Sequence, residues 1–213
     1  MLDKSVEYKN IIMKISADNV AKIQEPLLPT GFSYRLFEVG DEEHWARIET
    51  SVLEFETVDE ARSYFEVAYL PHSDELQKRC IFIVNKDGLP IATANSWYAD
   101  SELGHQATLH WVSVDPEYQG LGLGKAVTQL ALINFQTVEP NCSVLLHTQT
   151  WSHVAVKLYH KLGFNMMKEE RLANSNTRNG IPKIYQNDFD EAMEILADVM
   201  DTNDVKQLFD TAE

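Results

Sequence analysis

Apolar positions along this chain switch between a spacing of two and a spacing of three to four, and each switch marks a predicted element. Ile11, Ile12, Met13 and Ile15 predict a short strand or edge segment. Residues 32–39, F-S-Y-R-L-F-E-V, alternate apolar and polar and predict the first core strand. Asp41 is placed to cap a helix reaching about residue 52, with Trp45, Ile48 and Val52 on one face. A second helix starts near Asp59, carries Ala61, Tyr64, Phe65 and Ala68, and ends at Pro71. Strands are predicted at 80–84 and 90–98 around an N-K-D-G hairpin turn, then at 108–114 and 144–148, with helices over 122–137 and 152–162. Residues 164–172 and 181–185 read as a last antiparallel pair joined by the turn-rich N-S-N-T-R-N-G. An amphipathic helix over 188–200 closes the pattern, and the acidic tail beyond Asp201 is expected to fray. That helix packs either on its own sheet or on a second copy, which would make a homodimer.

Hairpin strands with helices between them predict a mixed α/β layer fold, a mostly antiparallel sheet flanked by helices. The expected division is an N-terminal extension over 1–31, a domain over 32–186 and a C-terminal helical extension over 187–213.

Chemistry concentrates in residues 109–129, L-H-W-V-S-V-D-P-E-Y-Q-G-L-G-L-G-K-A-V-T-Q, a strand, a glycine turn and a helix start. Alternate glycines let backbone N–H groups converge on a ligand, and the helix adds its positive end, so the turn suits phosphate oxygens. A dinucleotide fingerprint starting at Gly120 needs Gly at Lys125, and a P-loop needs Gly at Gln119 and Ser or Thr at Ala126. What fits is Q-x-x-G-x-G, read as Gln119, Gly122 and Gly124. With "VSVDPEYQGLGLGKA" around it, the stretch resembles the acyl-CoA pyrophosphate loop of the GCN5-related N-acetyltransferase (GNAT) superfamily. A second stretch, T-W-S-H-V-A-V-K-L-Y-H-K-L-G-F at 150–164, resembles that superfamily's second cofactor motif.

The resemblance covers the chain from about Phe32 to Tyr185 and implies direct acetyl transfer from acetyl-CoA to a primary amine in a ternary complex. It places the cofactor on the backbone of Val112, Ser113 and Val114 and on Gln119, Gly120, Leu121, Gly122, Leu123, Gly124 and Lys125. Tyr159 becomes the general acid for the leaving thiolate; helix spacing alone favours a core tyrosine. The family's usual Asn seven residues earlier is Ser152 here, which keeps a capping role and leaves the cofactor contact in question. The strand slot where some relatives carry a Glu base is Thr108. His110, on the same face, resembles the strand histidine of arylalkylamine N-acetyltransferases, and its residue type suits a base; a core histidine is the other reading.

Net charge, −15 over 213 residues, argues against nucleic acid as partner and for cationic substrates. Anionic coenzyme A then needs local positive groups, for which Lys125, Lys157 and Lys161 are candidates. No membrane-length apolar run and no basic-then-apolar leader occur, and two unpaired-looking cysteines, Cys80 and Cys142, fit a reduced, cytoplasmic setting. His153 and His160 share a helical face without a further ligand at metal spacing, so no metal is expected. Asp100, Glu102 and His105 read as solvated loop, and Trp97, Tyr98 and Trp111 as core or acceptor pocket. The function expected is N-acetylation of a small-molecule amine; the alternatives are a protein lysine or N-terminal acetyltransferase, or a non-catalytic acyl-CoA-binding module.

Overall fold

The computed structural model describes residues 2–177 and 181–213, so Arg178, Asn179 and Gly180 of the turn-rich loop lie outside the described residues. The elements are β1 Asn10–Ile15, α1 Ala17–Val20, β2 Ser33–Leu36, α2 Glu42–Ser51, α3 Val58–Ala68, α4 Ser73–Arg79, β3 Cys80–Val84, β4 Pro90–Ser101, β5 Gly104–Val114, α5 Leu123–Val138, β6 Val144–Gln149, α6 His153–Lys161, β7 Asn165–Met166, β8 Leu172–Asn174, β9 Lys183–Tyr185, α7 Phe189–Val199 and α8 Thr202–Asp210. Seven strands form one sheet in the order β2-β3-β4-β5-β6-β1-β7, and β8 and β9 form a separate pair. Every pairing in the large sheet is antiparallel except β5 with β6.

Both faces of the sheet are covered, and the strand period assigns each side chain to one of two cores. On β3, Ile81 and Ile83 join Val127, Leu130 and Phe135 of α5. Cys80, Phe82 and Val84 point the other way, into an aromatic core with Trp45, Phe65, Tyr69 and Trp97. Burial of both faces explains why β3 reads as a continuous apolar run, and it leaves Thr93, Asn95 and Ser96 of β4 buried as polar residues.

Five expectations change. Residues 10–15 form the short strand and not an edge segment: β1 is an interior strand between β6 and β7, with Ile11, Ile12, Met13 and Ile15 wholly buried. β2, expected as a core strand, is an edge strand with Tyr34 and Leu36 exposed, and Phe37 turns inward just after it ends. Since β1 occupies the place beside β6, β7 pairs with β1, and the last antiparallel pair is β8 with β9 alone. The tail beyond Asp201 does not fray. Asp201 caps α8 by accepting from the Asn203 N–H, and Leu208 is buried in the α5-side core. Asp41 stands at the head of α2 without capping it. Its carboxylate receives Arg35 at 2.5 and 2.8 Å and the Glu38 N–H at 2.7 Å. The closing helix α7 packs on its own sheet, with Phe189, Ala192 and Leu196 buried.

Candidate active site

Two strands that start as neighbours part at the centre of the sheet. β5 and β6 pair only at Ala107 with Val144 and Thr108 with Leu145. The cause lies on the opposite edge of β5, where Ser113 pairs with Thr93 and His110 with Asn95, so β5 carries one residue more than β4. Trp111 sits in this bulge with φ +53°. Such a bulge bends its strand, and β5 from Leu109 and β6 from Leu146 line one cleft between them.

The cleft holds two adjoining cavities, of about 430 and 310 Å³, and both are lined by Glu54, Val112, Ser113, Ser152 and Tyr159. The larger runs under the glycine turn. Gly120 and Gly122 have φ near +80°, which L side chains rarely adopt, and a Cβ on either would meet nothing within 4 Å. Their backbone therefore opens onto space. Gly122 heads α5, whose first-turn N–H groups lack partners inside the helix and carry its positive end. Gln119 fixes the turn by donating Nε2 to the Val114 carbonyl at 3.0 Å. These donors suit an anionic pyrophosphate.

Of the residues expected to hold the cofactor, Val112, Ser113, Val114, Gln119, Gly120, Gly122, Leu123, Gly124, Lys125 and Ser152 line this cavity. Leu121 does not line it; its side chain is 49% exposed. Lys157 pairs with Asp204, and Lys161 lines neither cavity, which leaves Lys125 of the three lysines. Ser152 occupies the position before α6 without a capping bond and accepts from Gln149 Nε2 at 3.3 Å. A 3₁₀ turn over Thr150–Ser152 has already curled the chain there, so the serine lacks the extended backbone that a cap requires.

The smaller cavity is walled by Tyr159, two carboxyls and several rings. Tyr159 is 7% exposed, and burial together with the charges of Glu54 and Glu49 keeps its hydroxyl protonated far above neutral pH. His110 faces the cavity with Nδ1 2.9 Å from the Tyr69 hydroxyl, which also accepts from Trp111 Nε1 at 2.9 Å. Burial lowers its pKa to about 4, so the ring is neutral near pH 7 and weakly basic. Trp111 is the one ring of the three weighed above that lines the cavity, held edge-on to Trp45 and Tyr64. Trp97 is buried and stacked on Tyr98. His105 bridges Asp100 and Glu139 at the far end of the β4–β5 hairpin. Among the described residues, no group of three or more His, Cys, Asp or Glu side chains is placed to hold a metal ion, and no helix is long and apolar enough to cross a membrane.

Glu49 and Glu54 are the residues that pattern reading missed. Glu49 is wholly buried on α2; Oε2 accepts from Ser113 Oγ at 2.8 Å and Oε1 has no partner. Glu54 follows the helix, with its backbone N–H on the Glu49 carbonyl at 3.1 Å. Burial raises both pKa values, that of Glu49 further through the charge of Glu54, while Ser113 opposes the rise in Glu49 and Lys4 that in Glu54. A signal existed: Glu49 falls four residues after Trp45 and three before Val52, on the apolar face of α2.

A mixed sheet splayed at its one parallel pair, with a glycine turn heading the following helix, is the N-acetyltransferase fold. The chain belongs to the acetyltransferase (GNAT) family, whose model matches residues 44–164. It is 28% identical over 148 residues to a mycothiol acetyltransferase of Actinosynnema mirum, covering 68% of this chain and 48% of that protein. A mycothiol acetyltransferase of Thermobispora bispora is 30% identical over 147 residues, covering 65% and 48%. The chain thus spans about half the length of these relatives. The crystal structure of a GCN5-related N-acetyltransferase from Sphaerobacter thermophilus shares the fold at a TM-score of 0.58 and 20% identity, over 76% of this chain and 49% of that one. A tandem GNAT protein from the clavulanic acid biosynthesis pathway does so at 0.56 and 17%, over 76% and 51%.

Proposed function

We propose that this protein is an acetyl-CoA-dependent N-acetyltransferase for a primary amine of a small molecule. The observation that carries the reading is the meeting of two cavities at Tyr159, one roofed by phosphate-type donors and one walled by carboxyls. The turn from Gln119 to Lys125 and the backbone of Val112 to Val114 would hold acetyl-CoA, which supplies the activated acetyl group. The acceptor enters the smaller cavity as an ammonium and is neutralised there. Glu54, which lines both cavities and has a raised proton affinity, takes its proton. Glu49, whose proton is held by burial and by the charge of Glu54, anchors Ser113. Tyr159, protonated, donates to the departing thiolate. His110 and Tyr69 hold Trp111 and the bulge in place, a positioning role in preference to that of base. Holding both reactants in one cleft supplies much of the rate.

The test has two stages. Acetyl-CoA at a hundred times its dissociation constant should stabilise the protein by about 2.7 kcal/mol. A panel of amines, lysine peptides included, then identifies the acceptor by thiol release. An unmoved melting curve at saturating ligand would overturn the reading.

A further inference from the structure

The rim of the acceptor cavity already carries an ammonium, and it belongs to the chain itself. Residues ahead of β1 cross the mouth of the cleft and are tied down on the β6 side. Asp3 N–H donates to the Trp151 carbonyl at 2.9 Å, Trp151 Nε1 to the Val6 carbonyl at 2.8 Å, and Tyr8 packs edge-on against the Trp151 ring. From this strap Lys4 reaches over the cleft. Its Nζ donates to the Leu53 carbonyl at 2.9 Å and lies 5.5 Å from the centre of the Trp151 ring. Lys4 lines the same cavity as Glu49, Glu54 and Tyr159, and its charge acts on the Glu54 carboxyl. Leu53 holds its carbonyl there from a left-handed backbone, φ +71°. Strain of this kind persists where surrounding structure enforces it and collects at functional sites. A carbonyl, an indole face and a nearby carboxyl are the groups that bind a substrate ammonium.

We propose that Lys4 is an internal acceptor, acetylated on Nζ within its own molecule; the inference rests on the acetyl-CoA reading of the cleft. The lysine stem has four rotatable bonds, which lets Nζ leave Leu53 and swing within a cavity of about 310 Å³ toward the Val112 and Tyr159 wall. The Lys4 ammonium gives one proton to Glu54, which releases it to solvent. The neutral nitrogen forms a C–N bond to the thioester carbonyl carbon as the C–S bond breaks. The second nitrogen proton leaves through solvent or Glu54, and the thiolate is protonated through Tyr159, giving one acetamide, one free thiol and one net proton. The acetamide carries no charge, so it leaves the ammonium subsite and removes the cation beside Glu54. An occupying lysine and an incoming amine compete for one place, so modification opens the cavity.

The experiment incubates the full chain with acetyl-CoA and no added amine, then maps acetylated lysines by peptide mass spectrometry. Lys4 should gain one acetyl group at a first-order rate independent of protein concentration. Tyr159→Phe should slow that rate on the order of a hundredfold, the usual worth of a general acid. A second readout needs no acetyl-CoA: an amine-reactive label should modify Lys4 more slowly than Lys86 on its exposed hairpin turn. The inference falls if Lys4 stays unmodified while acetyl-CoA still raises the melting temperature and other amines turn over, an outcome that leaves the proposed function standing. It also falls if Tyr159→Phe modifies Lys4 equally fast, if the rate scales with protein concentration, or if Lys4 labels as fast as Lys86. Absence of any melting shift removes both readings together.

Discussion

Tyr159 and the two carboxyls make separable predictions. Tyr159→Phe keeps the ring that packs beside Phe164 and deletes only the proton donor. Turnover should fall on the order of a hundredfold, while the stabilisation by acetyl-CoA stays unchanged; equal turnover would remove the general-acid role. The carboxyls are tested through pH. As the proposed base, Glu54 would have to lose its proton to act, and its affinity for that proton is raised, so kcat/KM should climb with pH along an acid limb. Glu54→Gln should abolish that limb with about a hundredfold loss of kcat/KM, whereas His110→Gln should keep it. For Glu49 the sign of the linkage runs against stability. Its proton is held more tightly in the fold than in the unfolded chain, whose carboxyl has the ordinary value of 4.5. The native state therefore loses stability as pH rises above that value. Glu49→Gln should stabilise the protein by about 1–3 kcal/mol at pH 8, the scale of one buried unpaired group, and by nothing near pH 4, as urea unfolding will read. That Tyr159 and the loop residues meet at one cleft was legible in the sequence because they lie in contiguous motifs. Glu49 showed only as a polar residue on an apolar helix face, and its meeting with Glu54 was hidden, because Ser113 and Lys4 are distant in the chain and the cavity between them exists only once α2 crosses the sheet.

Among the elements, the glycine turn and α8 show what local pattern reveals and what it hides. Gly122 and Gly124 look alike in the sequence, yet Gly122 has φ +80° and Gly124 lies inside α5. Gly122→Ala should cost roughly 1–2 kcal/mol for a left-handed L residue. At Gly124 a Cβ would meet Val114 Cγ2 at 3.7 Å and Leu158 Cδ2 at 3.8 Å, both ordinary contacts. Gly124→Ala should therefore stabilise the ligand-free protein by up to about 1 kcal/mol, the helix propensity difference; thermal unfolding with the two signs reversed would overturn this account of the turn. In α8 a polar, acidic surface hid a buried anchor: Leu208 is 1% exposed and packs into the core under α7. Leu208→Ala should cost about 2–5 kcal/mol by cavity formation, whereas a frayed tail would lose nothing. Strand boundaries were legible from periodicity, but the neighbours of each strand were not. The run Ile11 to Ile15 is apolar but for Lys14, and only the sheet order shows that it takes the place beside β6.

At the scale of the whole molecule, charge and topology pull on the two proposed substrates in opposite directions. The chain carries a net −15, and the one lysine of the three candidates that lines the larger cavity is Lys125. Attraction for an anionic ligand thus comes from the glycine turn and the head of α5, dipoles that act over a few ångströms. Repulsion comes from the whole surface and acts over the Debye length, roughly 30 Å at 0.01 M salt and about 8 Å at 0.15 M. Raising salt over that range removes the long-range repulsion and spares the short-range hold, so the association rate of acetyl-CoA in stopped-flow should increase severalfold. The acceptor has the opposite sign. An ammonium is drawn by the same surface toward Glu49 and Glu54, and screening weakens that pull, so kcat/KM for a cationic amine at saturating acetyl-CoA should fall as salt rises. Opposed slopes for the two substrates follow from one charge distribution acting on an anion and a cation in a shared cleft. A fall in both would mean that local positive potential around Lys125 outweighs the net charge, and a rise in both would mean that the carboxyls of the acceptor cavity are protonated when the amine arrives.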